Sequence, residues 1–146
     1  MPHYQHHGIV YQDFDHPRYR YRLLVNYGIQ TDIIVPETVA LPGKTPAGIP
    51  FAFIKPDGWL EVQGGYAWDG PSGPTFDTED AMRGSLVHDA LYQMMRESDL
   101  PLGYRLQVDN LFYALCVEDG MPFLRAWYFW LAVRVFGEKA ARPVAK

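Results

Sequence analysis

The feature that most constrains this chain is a change of hydrophobic period at Gly64-Gly65. Upstream of it the signals are those of strands. "YRYRLLVNYG" alternates aromatic or apolar residues with basic ones and then runs apolar, and "TDIIVPE" is a short β-branched run closed by Pro36, so two strands are expected there. Residues 41–50, "LPGKTPAGIP", hold three prolines and two glycines, too many for a regular element, and predict an ordered loop. "FAFIKPDGWLEV" sets two apolar runs around Pro56-Asp57-Gly58, where proline presets one corner and glycine supplies positive φ, which predicts a β-hairpin. On this reading residues 1–18 are an extended N-terminal segment and 19–68 are mainly strands.

Downstream the period becomes helical. Asp77 or Thr78 can cap a helix running to about Ser98, with Glu79 and Asp80 in the first turn where the helix dipole favours acids. Pro101 and Gly103 break it. A second helix from about Tyr104 to Glu118 places Tyr104, Val108, Leu111 and Leu115 on one stripe and stops at Gly120; Pro122 fits the first turn of a third, which Gly137 ends. Strands first and helices after predict an α+β fold: an N-terminal antiparallel sheet with three helices (78–137) packed on one face, then a tail, 138–146, all in a single domain. The third helix, "FLRAWYFWLAVRVF", is apolar nearly all round and is expected as a core helix; exposure of Trp127 and Trp130 would instead mark a partner surface.

Composition excludes several functions. The net charge of −4 is spread along the chain without a Lys/Arg cluster, so nucleic acid is not an expected partner. Cys116 is the single cysteine, which rules out an intramolecular disulfide and a multi-cysteine zinc site; it reads as a small buried hydrophobe. "MPHYQHHGIVYQ" lacks the basic start and apolar core of a secretory signal, so synthesis and folding in a cytosol are expected. The most apolar run, "AWYFWLAV", falls well short of the ~20 residues that span a bilayer, so no transmembrane segment is expected.

The chemistry concentrates in "YAWDGPSGP" (66–74) and "LVHDALY" (86–92). His88 lies one turn after Gly84 and one turn before Tyr92, so a gap beside the imidazole is expected to admit a backbone or a ligand. Asp89 is rotated by about 100° from His88, and both can reach the rigid loop that offers Asp69 and Ser72. Asp109, between Val108 and Leu111, approaches them if the first two helices pack antiparallel. Two chemistries follow: a divalent-metal site with Asp69, His88 and Asp109 as ligands, or acid–base catalysis by His88, Asp89 and Asp69 with Ser72 and Tyr92 on the substrate side. Set against them is a purely structural cluster, in which Asp69 forms a turn, Asp109 pairs with Arg105 at i,i+4, and His88 is a satisfied core histidine. His3, His6, His7 and His16 lie near a terminus and promise only incidental metal affinity. Ser72 and Ser85 lack a nucleophile elbow, and no phosphate-cradling loop is present.

The stretch "GGYAWDGPSGPTFDTEDAMRGSLVHDALYQMMR", the helix containing "VDNLFYAL" and the closing "FLRAWYFWLAVRVFG" resemble a group of small phage and prophage proteins catalogued as a domain of unknown function. Asp69, Ser72 and Pro74 match the family's loop, His88, Asp89 and Tyr92 its His-Asp-x-x-Tyr helix, and Asp109 its aspartate helix, over residues 51–137. The extra proline in "DGPSGP" and the long N-terminal segment depart from the shortest family pattern. The resemblance implies a phage or prophage protein made in the host cytoplasm. One class it implies is a metal-dependent hydrolase acting on host cell-wall peptide or glycan, with Asp69, His88, Asp89 and Asp109 as ligands or acid–base groups. The other is a virion or tail-associated structural component, partnered by other phage structural proteins, whose polar cluster locks the loop onto the helices.

Overall fold

The computed structural model describes residues 3–70 and 78–143. The first half forms eight short strands: β1 (His3–His6), β2 (Ile9–Asp13), β3 (Tyr21–Leu23), β4 (Tyr27–Gln30), β5 (Val39–Ala40), β6 (Ala52–Ile54), β7 (Trp59–Val62) and β8 (Ala67–Trp68). They make two antiparallel four-stranded sheets, ordered β1-β2-β3-β8 and β4-β7-β6-β5. The helices follow as α1 (Glu79–Glu97), a 3₁₀ turn (Leu102–Tyr104), α2 (Arg105–Glu118), α3 (Phe123–Phe136) and the short α4 (Glu138–Ala141). The fold is α+β, with sheets before helices as the change of period predicts, but with two sheets where one was expected.

Three differences from the sequence reading have physical causes. Residues 3–13 are a hairpin, not an extended segment: His7 (φ 53°) and Gly8 (φ 90°) form a two-residue turn with both angles positive, matched to strand twist, and Tyr4 pairs with Tyr11 across it. Ile9 and Tyr11 bury on the core side. The run "TDIIV" is not a strand, because the Thr31 hydroxyl accepts the Ile33 N–H (3.1 Å) and donates to the Gly58 carbonyl (2.7 Å), offering the backbone a local alternative to a ladder. The expected β6–β7 hairpin forms in register Ala52↔Val62 and Ile54↔Leu60, with Gly58 at φ 89°.

The third difference concerns α3, which is an outer helix. It buries Ala126, Phe129 and Ala132, the first two clustered with Phe112 and Cys116 of α2 and Ala81 of α1, and leaves much of its apolar surface in solvent. The central position belongs to α1, buried on most sides between the sheets and α2. Hydrogen bonds tie the sheets to α1: the Trp68 indole donates to the Ser85 hydroxyl (3.1 Å), the Tyr66 hydroxyl to Gln93 (2.9 Å), and the Ser98 hydroxyl to the Ala40 carbonyl (2.6 Å). Arg83 of α1 forks onto Asp119 beyond α2 through Nε (2.9 Å) and Nη2 (2.8 Å). Thr78 holds the N-cap position, yet its hydroxyl bonds Asp80 and not a backbone N–H; Asp77, the other cap candidate, lies outside the described residues.

Candidate functional site

The gap expected at Gly84 is closed. A Cβ there would lie 3.1 Å from Phe112 and 3.2 Å from Cys116, so the missing side chain lets α2 approach α1 closely and admits no ligand. That approach brings Asp109 under His88. Asp109 is fully buried and is the hub of the cluster: His88 Nε2 lies 2.8 Å from Oδ1, the Tyr92 hydroxyl donates to the same oxygen (2.6 Å), and Arg134 of α3 donates to Oδ2 (2.8 Å). Arg105, the i,i+4 neighbour, stands 4.0 Å from Oδ2, beyond hydrogen-bond reach, and instead donates to the Tyr92 hydroxyl (3.0 Å) and to the Val133 and Arg134 carbonyls. A surface pair with Arg105 is therefore not what Asp109 makes.

Burial alone would raise the Asp109 pKa and lower that of His88, but the bonds between them, with those from Tyr92 and Arg134, overturn both tendencies. Asp109 is held below the ordinary carboxylate value and His88 above the ordinary imidazole value. Burial raises the Tyr92 hydroxyl, as does its bond to Asp109. The two form a buried His–Asp pair in which the second imidazole nitrogen, Nδ1, faces Asp89 at 4.0 Å.

That second nitrogen turns toward a cavity of about 330 Å³, whose wall includes Asp69, His88, Asp89, Tyr66, Gln93 and Arg96. β8 delivers Asp69 to it: the strand ends at Trp68, Gly70 turns the chain at φ 78°, and the Asp69 backbone lies by the Asp89 carboxylate and favours its ionised form. Both carboxyls titrate above the usual range, in each case chiefly through burial. At Asp69 the charge of Asp89 adds to the rise and Arg18, Arg20 and Arg96 oppose it, while at Asp89 the rise is opposed by His88, by the Asp69 backbone and by Arg96. A second cavity of about 200 Å³, toward Phe51 and Glu97, shares Tyr19, Tyr66, Ala67 and Gln93 with the first, so the two form one elongated depression.

The structure thus brings His88, Asp89, Asp69 and Tyr92 to one cavity, with Asp109 behind it; Ser72 lies outside the described residues. For the expected metal set Asp69, His88 and Asp109, the structure gives the partners of each residue. Among the described residues no three His, Cys, Asp or Glu side chains converge as metal ligands. Asp109 spends both oxygens on three donors, one of them a guanidinium, and His88 Nε2 is spent on Asp109. Ser85 is no nucleophile either, since its hydroxyl donates to the Met82 carbonyl and accepts the Trp68 N–H. Sequence reasoning missed Arg134, whose signal was a lone cation in an otherwise apolar stretch of helix, a residue that requires a partner if drawn inward. It also missed Tyr66, Gln93 and Arg96, which carry no motif.

Fold and site define an α+β domain with a buried His–Asp pair backing a carboxylate-lined cavity. The family described as "Protein of unknown function (DUF1353)" matches residues 50–133, more than half of the chain, and the chain belongs to that family. No curated protein and no solved structure matches it.

Proposed function

We propose that the protein is a hydrolase working by carboxylate acid–base chemistry on an extended polymer. The resemblance to phage proteins points to host cell-wall material, cleaved at the onset of infection or at lysis. The observation that carries this reading is the pair Asp69 and Asp89 on one cavity wall, both raised by burial, with His88 Nδ1 facing Asp89 at 4.0 Å. Asp69 serves as the acid: burial and the charge of Asp89 raise its pKa, and it delivers its proton to the leaving oxygen. Asp89, steadied by His88 and the Asp69 backbone, takes a proton from the attacking water. His88 is fixed in place by Asp109. Two carboxyls with split roles are what glycoside hydrolysis requires, and the elongated, tyrosine-walled depression suits a glycan strand. No step depends on a metal ion.

The test is release of reducing ends from purified cell-wall sacculi by the full chain. Asp69→Asn and Asp89→Asn should abolish release while melting like wild type; a wild type that releases neither reducing ends nor new amino termini sinks the reading. One observation favours a second reading, a virion or tail-associated component in which the cluster only braces the fold: Asp109 joins α1, α2 and α3 through His88, Tyr92 and Arg134. Co-purification with assembled particles, together with inert sacculi, would support it.

A further inference from the structure

The outer face of α3 is apolar to a degree its position does not explain. Phe123, Leu124, Trp127, Tyr128, Leu131, Val135 and Phe136 are all exposed, from 37% at Leu131 to 69% at Leu124. At 100° per residue, Leu124, Trp127, Tyr128, Leu131 and Val135 fall within an arc of about 100°, the spacing that lets one helix pack lengthwise on another. No exposed residue of α3 is charged, and its two arginines are turned to the protein, Arg125 to Asp80 (2.6 Å) and Arg134 to Asp109 (2.8 Å). The surface continues onto α2 through a groove of about 260 Å³ lined by Asn110, Tyr113, Trp127 and Trp130, and past it to Leu106, half exposed.

We propose that this face is a self-association surface, covered by the α3 of a second copy of this chain. The area fits. With large side chains contributing ~150–250 Å² each when fully exposed, the five stripe residues present on the order of 500 Å², and Phe123 and Phe136 beyond its two edges bring the apolar surface to on the order of 800 Å². A monomer's largest patch is about 300–600 Å², and a stable interface takes about 800 Å² from each partner. The charge pattern fits as well, because a twofold contact sets each residue against its own surroundings and an uncharged face meets no like charge in itself. A lipid surface fits less well, since membrane-lying helices line their polar flank with free Lys or Arg for headgroups, and both arginines of α3 are committed. Tyr128 and Leu131 lie at the middle of the stripe, near the twofold axis.

Sedimentation velocity of the full chain over a concentration series tests this, with Leu131→Glu, Leu124→Lys and, as a control on an exposed apolar residue outside the helices, Ile34→Glu. Wild type and Ile34→Glu should dimerise. The two α3 variants, folded by near-ultraviolet circular dichroism, should dissociate, with the dimer constant weakened by at least ~30-fold as for an interface hot spot. Leu124 is the more exposed of the two, so its variant carries the test if Leu131→Glu fails to fold. A monomeric wild type, or a dimer that survives folded Leu124→Lys, overturns the proposal. A monomer that co-sediments with phosphatidylcholine vesicles overturns it in favour of a lipid surface. Neither result depends on whether the cavity is catalytic.

Discussion

Replacing Asp109 by alanine removes the one acceptor that three helices share. Tyr92 loses its acceptor, and the buried His88 and Arg134 lose their counter-charge. Breaking a buried charge pair by deleting one partner costs about 3–5 kcal/mol, because the partner left behind keeps its desolvation penalty. At about 2–4 °C per kcal/mol for a chain near this size, the midpoint of thermal unfolding should fall by ~6–20 °C. Circular dichroism melts and urea titrations of wild type and Asp109→Ala would measure it, and a loss below ~1 kcal/mol would refute the view that Asp109 holds the helices together. The pH dependence sharpens the test. His88 has its folded pKa raised above 6.5, so its contribution is complete below 6.5 and is lost as pH rises through the folded value. Asp109 has its folded pKa lowered below 3.8, so its contribution is present above 3.8 and is lost as pH falls through the folded value. Wild-type stability should therefore decline on both flanks, and Asp109→Asn, which removes the main cause of the His88 shift, should flatten the decline on the alkaline side.

Asp89→Asn should lower the Asp69 pKa without returning it to 3.8, since the like charge goes but burial remains; carboxyl chemical shifts followed against pH would report it. Gly84→Leu should cost about 1–3 kcal/mol by overpacking against Phe112 and Cys116, read from the shift in urea midpoint. Cys116 is fully buried with its thiol pushed up to about 12, so a disulfide reagent should modify it only at the rate of opening, and fast labelling of the native protein would contradict that burial.

The sequence made the helices more legible than the strands. Pro101, Gly103, Gly120, Pro122 and Gly137 are punctuation with local causes, and the boundaries of α1, α2 and α3 follow them. The strand pairings depended on non-local contacts and on turn chemistry that is easy to overlook. His-Gly does the work usually assigned to Asn-Gly in the first hairpin, and Thr31 diverts a β-branched run with one hydroxyl. Sequence spacing brought His88, Asp89, Asp69 and Asp109 into one neighbourhood, but it could not assign partners. Which oxygen Asp109 gives to which donor is decided by α3, whose arginine comes from 25 residues further along.

The same distribution of partners bears on whether bracing and catalysis exclude each other here. Asp109 is spent entirely on the scaffold, and with it one nitrogen of His88; no atom of that pair remains for a substrate except Nδ1. Asp69 and Asp89 are in the opposite position, facing an open cavity with raised pKa values. Holding two carboxyls partly desolvated and near each other costs free energy when both are ionised. The brace bears on that pair, because His88 favours the ionised form of Asp89 and Asp109, ahead of Asp89, holds the His88 pKa up. Asp109→Asn should for that reason raise the Asp89 pKa and depress any acid–base activity by more than its loss of stability explains, even where the variant is fully folded.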